Sequence, residues 1–278
     1  TSRTDSGRTR IELDDPGKAG GPSIGELIEF NSPEEAPILG LRVILNLPLT
    51  ASLPDLRLRV GTTRGTNALL EGKGAPVLLI VTRGFRDLLT IRDQKRPDLF
   101  ALGEWKAPIP NLRVLEMPGR INAEGEEIEP LDWEGFEDAL QAAIDGWADS
   151  PVYAVSFLNS FRNPAQEKAM ANRLREMGSE RIVLSSEVAP FLHYLSRTET
   201  TRVNATLAPV MEAYLDAIEK PLSPASCLAV MKSTGGLVSR ERFRRVDSLL
   251  RGPAGGVNGA ILAGRRAGWQ RILALDMG

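Results

Sequence analysis

The sequence is short of the residues that most metal and nucleophilic chemistry requires. Among 278 residues there is one histidine, His193, and one cysteine, Cys227. A lone histidine excludes a two-histidine zinc site within the chain, and no cysteine cluster stands in for one. A single cysteine also excludes an intramolecular disulfide and suits a reducing compartment, so a cytoplasmic setting is expected. No G-x-S-x-G turn is present to raise a serine nucleophile. Neither sign of charge dominates: 34 basic against 36 acidic residues leave a net charge of -2. That balance gives no basic field for nucleic acid or an anionic membrane. Long apolar runs are missing as well. The run from Val77 to Val81 is far below the roughly 20 residues needed to span a bilayer. No signal peptide is visible, and the chain opens at Thr1 without a methionine, so both ends are expected to be cuts within a longer protein.

What is present suits a soluble globular chain, with 42% hydrophobic and 25% charged residues. Residues 1–55 are rich in turn formers, with only short strand-like or mixed runs such as "LIEF" and "LRVILNL", and are expected to be mostly irregular. From Leu56 the pattern sharpens. "LRLRVGTT" alternates apolar residues with arginine like a half-buried strand. "GTTRGTNALLEGKGA" predicts a helix opened by a threonine and closed by Gly72 or Gly74. "PVLLIVT" is the continuous apolar strand of a sheet covered on both faces. The three together predict a β-α-β unit. A hairpin around Ala123-Glu124-Gly125 follows, then a helix bearing Phe136, Leu140, Ala143, Ile144 and Trp147 at helical spacing. The strand "PVYAVSFLNSF" leads to a helix announced by Asn163, Pro164 and Gln166. Its apolar face carries Met170, Leu174 and Met177, and Gly178 ends it. "RIVLSSEVAP" returns as a strand. This alternation predicts an α/β sheet. Beyond Pro190 a long helix carries Val203, Leu207, Val210, Met211, Tyr214, Leu215 and Ile218, with a kink expected at Pro209. A strand, "CLAVM", then runs into a Gly-Gly turn. A boundary is placed near residue 189, giving segments 1–55, 56–188 and 189–278.

The last segment, "GPAGGVNGAILAGRRAGWQRILALDMG", concentrates small residues before an apolar strand that stops at Asp276-Met277-Gly278. Several glycines in one helix, at about 1 kcal/mol each relative to alanine, call for close packing or close approach of a ligand. A strand ending in Asp and Gly is a place where a carboxylate holds a metal and backbone N–H groups receive phosphate. The pairing of the two is similar to the connecting helix and second phosphate loop of the actin, sugar-kinase and heat-shock-chaperone superfamily. The residues from 56 onward narrow this resemblance. Gly61 to Thr63, Thr66 to Glu71, Lys73-Gly74, Gly84 to Asp87 and Arg96 to Leu99 match motifs of the hydantoinase A/5-oxoprolinase family. So do "SFRNP" (160–164), "RTETTRVNA" (197–205), "STGGL" (233–237) and "GPAGGVNGA" (252–260). The departures are a missing first phosphate loop in residues 1–55, a second loop that does not continue past Gly278, and Arg64-Gly65 where small or apolar residues are common.

The resemblance implies a ribonuclease H-like, actin-like ATPase fold: mixed sheets flanked by helices in two subdomains, incomplete in this chain. It implies ATP and Mg²⁺ as cofactors of the full-length enzyme, with none held tightly by this chain. A cyclic amide, 5-oxoproline or hydantoin, is the implied small-molecule substrate. The implied partners are the remainder of the same chain and a hydantoinase B-type subunit or domain. Opening of the ring through phosphorylation of the amide oxygen is the expected chemistry, and it needs positioning and charge neutralisation more than a special nucleophile. A related ATP-dependent ketone carboxylase and a noncatalytic nucleotide-fold module are the alternatives. The residues assigned to nucleotide, phosphate or metal in the full-length context are Asp276, Gly278, Gly235, Gly236, Gly255 and Gly256, with Asp276 as the metal ligand. Thr62, Thr63, Asn67, Arg96, Arg197 and Asn204 are the substrate or anion candidates, and Arg83 and Arg86 join them as cations for a carboxylate. For each, a plain role in capping, packing or surface pairing remains open at this stage.

Overall fold

The computed structural model describes residues 2–3, 9–10, 33–93, 109–232, 236–240, 259 and 261–269. At the start of the chain β1 (Ser2–Arg3) pairs antiparallel with β2 (Thr9–Arg10). The "LIEF" run lies outside the described residues. "LRVILNL" contradicts its strand-like appearance, because α1 (Ala36–Leu45) takes in most of it. Pro37 suits the first helical turn, and Asn46 ends the helix in the left-handed region at φ 54°. The buried residues of α1 are Ile38 and Arg42, one turn apart, while Val43 and Ile44 face outward.

The expected β-α-β unit is also corrected. Strand β3 (Arg57–Val60), helix α2 (Arg64–Leu70) and strand β4 (Val77–Thr82) follow one another as predicted, but the two strands belong to different sheets. β3 pairs in parallel with β10 (Cys227–Met231), which in turn pairs antiparallel with β11 (Leu237–Ser239). The cause lies in what each strand can bury. β3 exposes Arg57 and Arg59 and offers a single apolar face, whereas all six residues of β4 are buried. Nor does α2 cover β4; Ala68 and Leu69 pack with the long helix α7 (Tyr194–Glu219) instead. The β3–β10 pairing joins chain from either side of residue 189.

β4 lies in the four-stranded parallel sheet β5-β4-β8-β9, with β5 at Leu112–Met117, β8 at Val152–Ser156 and β9 at Ile182–Leu184. The strand expected over "RIVLSSEVAP" is shorter than that run, because α6 (Ser185–Val188) begins directly after β9. The two-residue period of β4 serves two cores. Leu78 and Ile80 face Phe136, Leu140, Met170 and Leu174 of α4 (Phe136–Ile144) and α5 (Ala165–Glu176). Val77, Leu79 and Val81 face Leu89 of α3 (Leu88–Ile91) and Ala205 of α7. The hairpin β6 (Arg120–Ile121) and β7 (Glu127–Glu129) forms where expected, with Gly125 at φ 94°. α7 then runs unbroken through Pro209, and its second half lies in the core beneath β3 and β10.

Local endings follow the sequence closely. Gly72, at φ 66°, closes α2: Lys73 N donates to Ala68 O and Gly72 N to Leu69 O, which settles the choice between Gly72 and Gly74. Gly178 closes α5 in the same way, with Ser179 N on Leu174 O. At the start of α5, Asn163 Oδ1 accepts Ala165 N at 3.0 Å. The partner expected to reach back, Gln166, instead donates to Glu127 and to the Glu129 carbonyl of the hairpin. At α2 the cap shifts by one residue. Thr62 Oγ1 accepts Arg64 N at 3.0 Å, while Thr63 makes no side-chain cap.

Candidate functional site at the strand carboxyl ends

In the four-stranded sheet the chain runs from β4 outward to β5, then returns past β4 to β8 and β9. The order therefore reverses between β4 and β8. In open α/β sheets a ligand crevice forms beyond the carboxyl ends of the strands at such a point. Here those ends are Thr82 and Ser156, and the loops that leave them are Arg83–Asp87 and Phe157–Arg162.

Both loops are held by side chains. After β4, Glu116 Oε1 accepts Gly84 N at 2.7 Å and Arg86 N at 3.2 Å. Arg83 pairs with Glu129 at 2.8 Å, and Arg86 donates to the Val114 carbonyl. Phe85 meets Tyr194 edge to face with ring centroids 5.1 Å apart. After β8, Phe157 N donates to Glu167 Oε1 at 3.0 Å, Phe157 O accepts Arg197 Nη2 at 2.8 Å, and Leu158 N donates to Thr82 Oγ1 at 2.9 Å.

Beneath this loop lies a buried polar network. Glu167, Ser185, Arg197 and Thr198 are each wholly buried. Glu167 accepts Ser185 Oγ at 2.5 Å and Ser186 N at 2.8 Å. Ser185 has one hydroxyl proton, and that proton goes to Glu167, so its oxygen accepts from Arg197 Nε at 3.1 Å and from Ser160 at 3.0 Å. Arg197 Nη1 donates to Phe191 O at 2.9 Å. Thr198 and Ser156 hydroxyls lie 2.7 Å apart, and Tyr194 donates to the Ser156 carbonyl at 2.7 Å. Burial lowers the Arg197 guanidinium from its ordinary pKa, opposed by the Glu167 carboxylate. Burial likewise pushes the Tyr194 phenol up.

The candidates chosen from sequence fall in two places. Thr62, Thr63 and Gly236 gather at the carboxyl end of the β3–β10 pair, where Val60 lies opposite Val230 and Lys232 N bonds to Gly236 O. Asn67 is exposed on α2 nearby. Arg197 lies at the other end of α7, beside β8, and Asn204 is buried midway along the helix. Arg64, at the start of α2, sits over the Tyr214 ring. At about 1.5 Å per residue, Arg197 and Tyr214 are about 25 Å apart along the helix. Arg83, Arg86 and Arg197 all spend hydrogen bonds on protein acceptors. Arg96, Gly235, Gly255, Gly256, Asp276 and Gly278 lie outside the described residues. No group of three or more His, Cys, Asp or Glu residues able to hold a metal occurs among the described residues, and no described helix is long and apolar enough to cross a membrane.

Glu167 and Ser185 escaped the sequence reading, although Glu167 carried a signal. It stands at i, with Met170, Ala171 and Leu174 at i+3, i+4 and i+7, so it shares their buried face. A carboxylate on that stripe needs a buried partner.

Parallel and mixed sheets flanked by helices make this an α/β protein, and the solved structures that share its fold are of the actin-like ATPase class. The ATP-dependent caprolactamase of Pseudomonas jessenii superposes with a TM-score of 0.64 at 30% identity, over 87% of this chain and 37% of that one. A nucleotide-free acetone carboxylase also superposes with a TM-score of 0.64, at 21% identity over 82% of this chain and 34% of that one, which supports the fold alone. The chain belongs to the hydantoinase/oxoprolinase family. The family's N-terminal region matches residues 23–178, and its hydantoinase/oxoprolinase region matches 197–278. The 5-oxoprolinase of Saccharomyces cerevisiae is 32% identical over 81% of this chain, and the caprolactamase alpha subunit of P. jessenii is 36% identical over 78% of it and 32% of that subunit. The chain spans about a fifth of the length of the 5-oxoprolinases it matches.

Proposed function

We propose that the full-length protein opens a cyclic amide at the expense of ATP, with 5-oxoproline or a hydantoin as substrate. The observation that carries this reading is family membership alongside relatives named 5-oxoprolinase and caprolactamase, both of which are named for a lactam substrate. A lactam is a resonance-stabilised amide. In the proposed reaction its oxygen attacks the γ-phosphorus of ATP and ADP leaves. Water then adds to the activated carbon and the ring C–N bond breaks, freeing the amine and leaving an acyl phosphate, which a second water hydrolyses to the open amino acid and inorganic phosphate. Such a reaction asks the protein for positioning and for neutralisation of phosphate charge.

In this reading the carboxyl end of the β3–β10 pair, with Thr62, Thr63, Asn67 and Gly236, forms part of the nucleotide side. Gly235, Gly255, Gly256, Gly278 and Asp276 complete it, and Asp276 is the residue chemically suited to Mg²⁺, which would neutralise phosphate charge. The loops at the carboxyl ends of β4 and β8 form the amide side, with Arg96 as a further candidate, while Asn204 is buried midway along α7. A hydantoinase B-type subunit is the proposed partner, because the caprolactamase relative is itself named as an alpha subunit. The test is ADP release by the purified full-length protein with 5-oxoproline, hydantoin, or acetone plus bicarbonate. Release that depends on a cyclic amide supports the reading. Release only with ketone and bicarbonate would refute it in favour of a carboxylase.

A further inference from the structure

Resting on that reading, we propose that Glu167 and Arg197, bridged by Ser185, are positioning residues that hold the loop after β8 in place as a wall of the amide-binding crevice. They do so without touching the substrate. Backbone groups of two adjacent residues at the switch point, Phe157 N, Phe157 O and Leu158 N, are each fixed by a side chain from a different element: α5, α7 and β4. The next residue, Asn159, adopts φ 59° and donates through Nδ2 to Ile121 O at 2.9 Å. The loop therefore leaves the sheet along one fixed course.

Stability alone is a poor reason for this arrangement. Burying charges costs desolvation, and well-packed apolar groups commonly hold a core as well as a buried ion pair does. Charge-assisted hydrogen bonds supply short, directional geometry. A site must be preorganised by packed, hydrogen-bonded supporting residues. All three side chains are engaged: Glu167 takes three hydrogen bonds, Ser185 joins Glu167 to Arg197, and each of the three Arg197 nitrogens donates to a protein oxygen. Arg197 is thus removed from the set of groups that contact a substrate anion and becomes the frame behind the crevice.

The experiment compares wild type with Glu167→Gln, Arg197→Lys and Ser185→Ala in the full-length protein. Saturation curves are measured separately for the cyclic amide and for ATP. Glutamine puts an NH₂ donor where Glu167 accepts, and lysine loses the fork. Each variant is expected to raise KM for the amide roughly tenfold or more while KM for ATP stays within about twofold, because the nucleotide side lies far along α7. A tie serving stability alone would lower the active fraction and hence kcat, with neither KM moved; that result, or an equal rise in both, overturns the proposal. Hydrogen exchange reads the positioning without any substrate: the Phe157 and Leu158 amides should exchange faster in the variants, with Thr62 and Thr63 unchanged. Unchanged exchange at Phe157 also overturns it. Wild type lacking amide-dependent ADP release would instead refute the proposed function, and the exchange result would still judge the positioning. Should the charged variants fail to fold, Ser185→Ala, which removes one hydroxyl, decides the matter.

Discussion

Gly74 is a position where one added carbon has a calculable consequence. A Cβ built there would lie 2.1 Å from Thr206 Cγ2 and 3.1 Å from Thr206 O. The methyl cannot swing aside cheaply. Threonine is stiff at χ1 in a helix, and Thr206 Oγ1 is tied to Arg202 O at 3.0 Å. Nor can the loop retreat freely, since Ala75 N donates to Thr206 O at 3.0 Å and leads directly into β4. Overpacking costs about 1–3 kcal/mol, against which alanine stiffens the unfolded chain by about 0.4–1 kcal/mol. A net loss of about 1–2 kcal/mol is therefore expected for Gly74→Ala. Thr206→Ser removes only Cγ2 and keeps the Oγ1 bond, so the double variant should recover about 1 kcal/mol of coupling. Gly72 provides the contrast. Its φ of 66° makes it conformationally demanding, yet nothing lies within 4 Å of an added Cβ. Gly72→Asn should therefore be tolerated, because asparagine adopts the left-handed region, while Gly74→Asn should not. Urea denaturation of the five variants (Gly74→Ala, Thr206→Ser, the double variant, Gly72→Asn and Gly74→Asn) measures all of this. Wild-type stability for Gly74→Ala, or no relief from Thr206→Ser, would refute the reasoning.

Arg42→Met should lower the denaturation midpoint in the same assay, because it removes the guanidinium that pairs with Glu34 at 2.7 Å and donates to the Pro48 and Ala51 carbonyls. Tyr194 makes stability fall at high pH. Burial raises its folded pKa above the ordinary value of 10.0, so its contribution is full below about pH 10 and is lost as the unfolded phenol ionises above that. Tyr194→Phe should flatten that alkaline slope in denaturation measured from about two pH units below the ordinary value to about one above it, and an unchanged slope would exclude the assignment. In the full-length protein Asp276→Ala is expected to abolish ATP turnover, and near-normal ADP release would remove Asp276 from the nucleotide side.

Local chemistry carried a large part of the fold. The unbroken apolar run of β4 announced a strand covered on both faces, and both cores are there. Gly72 and Gly178 marked helix ends because few other residues close a helix in the left-handed region. Strand partnership was not legible in the same way. β3, α2 and β4 have the spacing of a β-α-β unit, but the partner of β3 arrives some 170 residues later as β10. Only the burial of one face of β3 against α7 selects that pairing, and no window of sequence contains it. The strand-like run of α1 misled for a related reason: its apolar residues look mixed until Ile38 and Arg42 are seen to share the inner face.

The candidate site repeats this division between what is local and what is not. The motifs "SFRNP" and "RTETTRVNA" mark segments that meet in space around Ser160, Ser185 and Arg197. They did not disclose orientation. An arginine suits a substrate carboxylate only if its fork reaches the crevice, and Arg197 sits two turns above Asn204 on the inward face of α7, where every nitrogen finds a protein oxygen first. The decisive fact is a carboxylate in the first turn of another helix, on a stripe otherwise apolar. Where a sequence places an ion on a buried helical face, the search for its counter-charge should come before any search for a ligand. Applied here, that rule pairs Glu167 with Arg197 and takes the arginine out of the search for a group that binds an anion.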